Sequence, residues 1–96
     1  MNIPKNMPTA QEIFEDLKQR DSELVSKVIA AGMAKVSDEI LQLSRDMAKH
    51  YDTLWTAELF GDAERLRAWA YFWAERYQQA TGKEEHPQIP RYRTAA

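Results

Sequence analysis

Apolar residues recur through the middle of the chain at alternating spacings of four and three, the pattern of one helix face. Between Ser22 and Phe60 there is no proline, and Gly32 is the only glycine. A second apolar row widens this face to about 160° of the helical circumference. We call the first row the seam; it comprises Ile29, Met33, Val36, Ile40, Leu43, Met47, His50 and Leu54. The pattern predicts a long middle helix over about 22–60.

The two halves of this middle helix favour different neighbours. Apolar residues between Leu24 and Ile29 point about 100° away from the stripe over 40–55, more than the roughly 20° per heptad that supercoiling absorbs. Either the helix is continuous and two neighbours cover its halves, or it kinks between Gly32 and Ser37, where Ser37 would cap a new helix. The absence of proline slightly favours continuity.

Capping signals predict a shorter helix before the middle one. Thr9 and Glu12 fit a capping box, in which each side chain accepts a free backbone N–H at the helix start. Asp21 and Ser22 offer a second capping signal. The first helix is therefore expected over about 10–20.

A third helix is expected over about 63–81. Gly61 suits the left-handed residue that follows a helix, Asp62 suits the next cap, and Gly82 suits the end of the third helix. Residues 1–8 contain two prolines and are expected to form an extended lead-in. Residues 82–96 offer little to bury and are expected to form a flexible tail. The fold class is all-α, a single helical domain over 9–81 that forms a bundle.

Composition excludes several classes of function. The chain has 96 residues, a net charge of −2 and no cysteine, so disulfide scaffolds and thiolate metal sites are ruled out. Its longest uncharged runs are seven residues, far short of the roughly 20 that span a membrane. His50 is the one histidine of the helical region, and no glycine-rich loop or nucleophile motif occurs. We therefore expect a cytoplasmic protein without catalytic activity, metal or cofactor.

Aromatic residues are concentrated in the third helix. Five lie within nine residues: Trp69, Tyr71, Phe72, Trp73 and Tyr77. Trp69 and Trp73 are expected in the core, whereas Tyr71 and Phe72 cannot both face the same core as Trp73. Because aromatic and arginine side chains are enriched at binding hot spots, we expect a partner surface here. The predicted contact residues are Arg65, Tyr71, Phe72, Arg76 and Tyr92.

The leading functional hypothesis is a small adaptor or regulator that binds another protein. A continuous middle helix would span roughly 57 Å, whereas a compact chain of this length has a radius of gyration of about 12–13 Å. The seam would then be used for self-association in a homodimer, whereas a kink would permit a four-helix monomer. Small cysteine-free helical chains are common among the accessory proteins of phages and plasmids.

The alternative hypothesis is an accessory protein of replication or transcription that binds nucleic acid. Its phosphate contacts would come from arginines of the third helix and of the tail. Such contacts weaken steeply with salt, whereas an aromatic protein interface is much less sensitive. The candidate residues are Arg65, Arg67, Arg76, Arg91 and Arg93.

Overall fold

The structure is a computed structural model that describes residues 7–89. It contains three helices, α1 over Ala10–Ala31, α2 over Ser37–Thr56 and α3 over Phe60–Thr81, and a 3₁₀ turn over Met33–Val36 joins α1 to α2. Within this range there is no strand. The predicted all-α bundle of three main helices is confirmed, and the segment predicted as the middle helix is divided between α1 and α2.

The first helix begins as predicted and continues well past the predicted end. The Thr9 hydroxyl accepts the Glu12 N–H at 3.1 Å, and the Glu12 carboxylate accepts the Thr9 N–H at 2.9 Å. The prediction that this helix ends near residue 20 is wrong. Leu17 and Leu24, two turns apart on one face, are both buried, so packing holds the helix together across the expected break. Asp21 lies inside α1 and caps no helix, and its carboxylate accepts a hydrogen bond from the Trp73 Nε1–H of α3.

The chain breaks at Gly32, which confirms the kinked alternative and excludes the slightly favoured continuous helix. Gly32 has φ 91° and ψ 154°, a conformation that only glycine adopts readily, and its N–H donates to the Val28 carbonyl at 2.8 Å. Ser37 is the first residue of α2, but no side chain caps this helix start. The end of α1 is also tied to α2 by an ion pair between Lys27 and Glu39 at 2.7 Å, and this hydrogen bond raises the pKa of Lys27.

The link between α2 and α3 lies earlier than predicted. Glu58 has the positive φ, 64°, and Gly61 lies inside α3. The physical reason is that the N–H groups of Glu58 and Leu59 already donate to carbonyls at the end of α2, each at 2.9 Å. The predicted end of α3 is confirmed, since Gly82 is left-handed with φ 77°.

Most of the seam is covered by the same chain. Its buried members are Val36, Ile40, Leu43, Met47 and Leu54. They pack in one core with residues of α1 and α3, and the buried Ser44 hydroxyl donates to the Ala70 carbonyl of α3 at 2.8 Å. Met33 and His50 are half-buried, and Ile29 is 80% exposed. Seam residues 36–54 therefore need no second copy of the protein to cover them.

The segment after α3 returns to the helical body. Glu85 pairs with Arg45 of α2 at 3.1 Å, and this hydrogen bond raises the pKa of Arg45. Pro87 is buried and Ile89 packs against the core, so residues 82–89 bury more than the composition suggested. The flexible tail over 82–96 stays a prediction, and residues 90–96 lie outside the described range, as do residues 1–6 of the predicted lead-in.

Candidate interaction face

Three of the exposed large apolar side chains lie together on one side of the molecule. Val25 and Ile29 of α1 are 40% and 80% exposed, and Phe72 of α3 is 43% exposed. We call these three residues the apolar face. Elsewhere in the described chain, the exposed large apolar residues are Met7, Phe60 and Tyr71. The face is therefore a local concentration of apolar surface in a chain whose other large apolar residues are mostly buried or half-buried.

The apolar face borders a cleft between α1 and α3. This α1–α3 cleft has a volume of about 150 Å³. Aliphatic side chains of α1 and the 3₁₀ turn form one wall, and two aromatic rings with one guanidinium form the other. The lining residues are Val25, Val28, Ile29 and Met33 on the first wall, and Phe72, Trp73 and Arg76 on the second. Such a cleft can accept an apolar side chain from outside.

Trp73 determines which way Phe72 points. The Trp73 indole is buried, and its Nε1–H donates to the Asp21 carboxylate of α1 at 2.7 Å. The next residue back along a helix is rotated by about 100°, so Phe72 lies beside this contact rather than within it. The Phe72 and Trp73 rings are nearly perpendicular, with their centres 5.1 Å apart. The inward position of Trp73 therefore leaves Phe72 at the surface, over the cleft.

Arg76 and Glu75 place both signs of charge beside the cleft. The Arg76 guanidinium lies 4.1 Å from the centre of the Phe72 ring, a cation–π contact, and donates to the Glu75 carboxylate at 3.1 Å. The Arg76 side chain is 28% exposed and that of Glu75 is 71% exposed. A molecule that covers the apolar face would meet one positive and one negative group at its edge.

The structure brings together two of the predicted contact residues and separates two others. Phe72 and Arg76 touch each other at the cleft. Tyr71 is 38% exposed, but it lies about 100° around α3 from Phe72. Arg65 lies two turns earlier and pairs with Asp62 at 3.5 Å. Tyr92 lies outside the described residues.

The core roles expected for the two tryptophans of α3 are confirmed. Trp73 is buried, and Trp69 is half-buried with its ring stacked on Phe14 of α1 at 5.8 Å. Tyr71 and Phe72 are both more than a third exposed, which agrees with the expectation that they cannot share the core of Trp73.

The three arginines of α3 in the nucleic-acid hypothesis each have a carboxylate partner on that helix. Arg65 pairs with Asp62, Arg67 with Glu64, and Arg76 with Glu75. A phosphate would have to compete with these carboxylates for the guanidinium groups. The remaining two candidates are Arg91 and Arg93, which lie beyond the described range.

Sequence reasoning placed Ile29 in the seam and did not select Val25 for binding. The available signal was the change of direction between residues 24–29 and the later apolar stripe, which indicated different neighbours for the two halves. In the structure, Val25 and Ile29 are exposed, while Val28 between them packs against the core. The signal located the change correctly, but it could not show that Val25 and Ile29 stay exposed among residues 7–89.

No protein-family model, curated protein or solved structure matches this chain. Among residues 7–89, no helix is long and apolar enough to cross a membrane. The same residues contain no group of three or more side chains of the types that could hold a metal ion. The geometry of the apolar face is therefore the main guide to function.

Proposed function

We propose that this chain is a non-enzymatic helical adaptor or regulator that acts by binding another protein through the apolar face. The observation that carries the proposal is the grouping of Val25, Ile29 and Phe72 beside one cleft. Single exposed apolar residues are normal on protein surfaces, but a contiguous patch is typical of a binding site. The cytoplasmic location expected from the sequence is part of this proposal.

The supporting chemistry is that of a small interface centre. An aromatic ring and an arginine are among the side chains most enriched at hot spots, and here Phe72 and Arg76 are already in contact. Because the ring and the guanidinium fix each other, little side-chain freedom is lost when a partner binds. The mechanism would be occupancy: the bound adaptor blocks a surface of its partner or brings that surface to another molecule.

The test is affinity capture with matched variants. Wild-type protein and the variant Phe72→Glu are immobilised and exposed to an extract of the cells that make the protein. Proteins held by the wild type should be lost from Phe72→Glu, because the variant removes the aromatic ring and leaves a carboxylate that must lose its water at the centre of the face, even if it pairs with Arg76. Arg76→Glu should weaken the same capture without changing the helix content measured by circular dichroism.

Phe60→Glu is the matched control. Phe60 is the same residue type on the same helix, and it is 37% exposed beside Trp55, away from the cleft residues. This variant should retain the captured proteins. Equal capture by wild type, Phe72→Glu and Phe60→Glu would overturn the proposed function. A folded circular dichroism spectrum for each variant separates loss of binding from loss of structure.

A further inference from the structure

We infer that the partner presents an amphipathic helix, which places one branched aliphatic or phenyl side chain in the α1–α3 cleft. We call this side chain of the partner the anchor. The inference rests on the proposed function, because it names the chemistry of the occupant of the same face. It is carried by the volume of the cleft, by the polar groups around it and by the small area of the face.

The α1–α3 cleft has room for one apolar side chain. Its volume is about 150 Å³. An apolar cavity of about this volume holds one benzene molecule, so the cleft suits a phenyl ring or a branched aliphatic group. Its first wall is aliphatic, and Phe72 supplies an exposed ring on the second. The anchor would therefore be surrounded mainly by carbon atoms.

The polar groups around the cleft already have partners within the chain. The Trp73 Nε1–H donates to Asp21, and the Arg76 guanidinium donates to Glu75. A charged ligand would lose its hydration and would have to displace one of these contacts. The charges of Arg76 and Glu75 also balance each other, so the edge of the cleft favours neither an acidic nor a basic occupant. An occupant recognised by an apolar side chain fits this chemistry.

The apolar face is too small to be a standard interface between two folded domains. Its exposed apolar area is on the order of 300 Å², whereas a stable interface of standard size buries about 800 Å² on each partner. Because a few central residues carry most of the energy of binding, a short segment with one anchored side chain can use a face of this size.

Among the recurring modes of peptide recognition, a helix in a groove fits the described residues. Addition of a strand needs an exposed sheet edge, and residues 7–89 contain no strand. Acidic and phosphorylated motifs need a cluster of arginines, and among the described residues Arg76 is the one arginine that lines the cleft. Proline-rich segments dock in grooves lined by aromatic rings, whereas one wall here is aliphatic. A helix between α1 and α3 can present apolar residues three or four positions apart to both walls.

The test begins with a phage-displayed library of random peptides of about 16 residues, a length at which a helix can form. The library is selected on the immobilised full chain. Enriched sequences should share two apolar positions three or four residues apart, one of them the anchor. A synthetic peptide of the leading sequence should bind Phe72→Glu at least about tenfold more weakly than the wild type. Phe60→Glu, the matched control, should bind this peptide as the wild type does.

The size of the anchor tests the cleft itself. Replacing the anchor of the selected peptide by alanine should weaken binding at least about tenfold, since each buried CH₂ group contributes about fourfold in affinity. Ile29→Ala enlarges the cleft, so a tryptophan anchor should gain affinity relative to a leucine anchor on this variant. Because Ile29 is 80% exposed, the variant should keep the circular dichroism spectrum of the wild type. The same order of anchors on both proteins would overturn the cleft as the site of the anchor.

Three other results would overturn the helix as occupant. The first is a selection that enriches no peptide over the bare support, or enriches peptides that bind Phe72→Glu as tightly as the wild type. The second is a dissociation constant that rises steeply between about 50 and 500 mM NaCl, because recognition would then depend on charge. The third is a mass above 11.2 kDa that Ile29→Glu abolishes, which would make a second copy the occupant.

The inference and the proposed function fail separately. Each of these results would leave the capture experiment with Phe72→Glu as it stands, because a partner of another shape can still cover the apolar face. Capture that does not depend on Phe72, together with selected peptides that do depend on it, would instead remove the adaptor function and leave a peptide-binding cleft.

Discussion

Replacing Gly32 should change the free energy of unfolding in opposite directions for a chain that breaks at Gly32 and for a continuous helix. The change is Gly32→Ala. At φ 91° and ψ 154° the backbone lies in a region essentially reserved for glycine, and an alanine held there costs about 1–3 kcal/mol. Alanine also restricts the unfolded chain, which offsets about 0.4–1 kcal/mol of this cost. We expect the free energy of unfolding to fall by about 1–2 kcal/mol.

The loss comes from the backbone alone, because an added Cβ at Gly32 would meet nothing within 4 Å. If the helix continued through Gly32, alanine would instead raise the free energy of unfolding by about 1 kcal/mol, since it is the better helix former. The measurement is urea unfolding followed by circular dichroism at 222 nm. In a thermal scan, a loss of 1 kcal/mol corresponds to a midpoint lower by about 4–8 °C.

Gly61→Ala is the control within the same chain. Gly61 lies inside α3 without a positive φ, and a Cβ there also meets nothing within 4 Å. Gly61 is the second residue of α3, so the gain comes from restricting the unfolded chain, and we expect Gly61→Ala to raise the free energy of unfolding by about 0.4–1 kcal/mol. Opposite signs for the two variants support a break at Gly32. An equal gain for Gly32→Ala would refute the break and restore the continuous middle helix.

Three further substitutions test individual contacts through urea unfolding. Ser44→Ala removes the buried hydrogen bond to the Ala70 carbonyl and should lower the free energy of unfolding by about 0.5–1 kcal/mol; an unchanged value would contradict that bond. Trp73→Phe removes the donor to Asp21 and should cost about 2–3 kcal/mol, and adding Asp21→Ala should then cost little more, because the shared bond is already lost. His50→Leu should raise the free energy of unfolding by about 1 kcal/mol, since the buried His50 Nδ1 has no hydrogen-bond partner among residues 7–89; a fall would indicate that the imidazole has one.

The fold class was predictable because it depends on periodicity, whereas helix boundaries depend on partners far away in the chain. Asp21 has the chemistry of a helix cap, and nothing nearby in the sequence indicates its hydrogen bond to Trp73, which lies 52 residues later. Gly61 has the chemistry of a helix end, yet the backbone turns at Glu58. At Gly32 the glycine itself and the change in direction of the apolar residues around it both indicate a break. There the kinked alternative was correct.

Half of the candidate site was predictable for a related reason. Phe72 and Arg76 lie one turn apart on the same helix, so their contact follows from local geometry. Val25 and Ile29 complete the face from another helix, and their position depends on how α1 crosses α3. The sequence pattern shows that these residues differ in direction from the seam. It does not show which element, if any, covers them.

The break at Gly32 connects the fold to the exposed face. A continuous helix would keep Ile29 on the seam with Val36, whereas the break turns the chain so that Val36 is buried and Ile29 is 80% exposed. A residue so exposed contributes little to the stability of the monomer, and substitutions at such positions usually change the free energy of unfolding by no more than about 0.5 kcal/mol. The folded monomer therefore gains little from an apolar side chain at position 29. Under the proposed function a bound partner would cover this side chain, and this difference makes Ile29→Glu a test of binding rather than of folding.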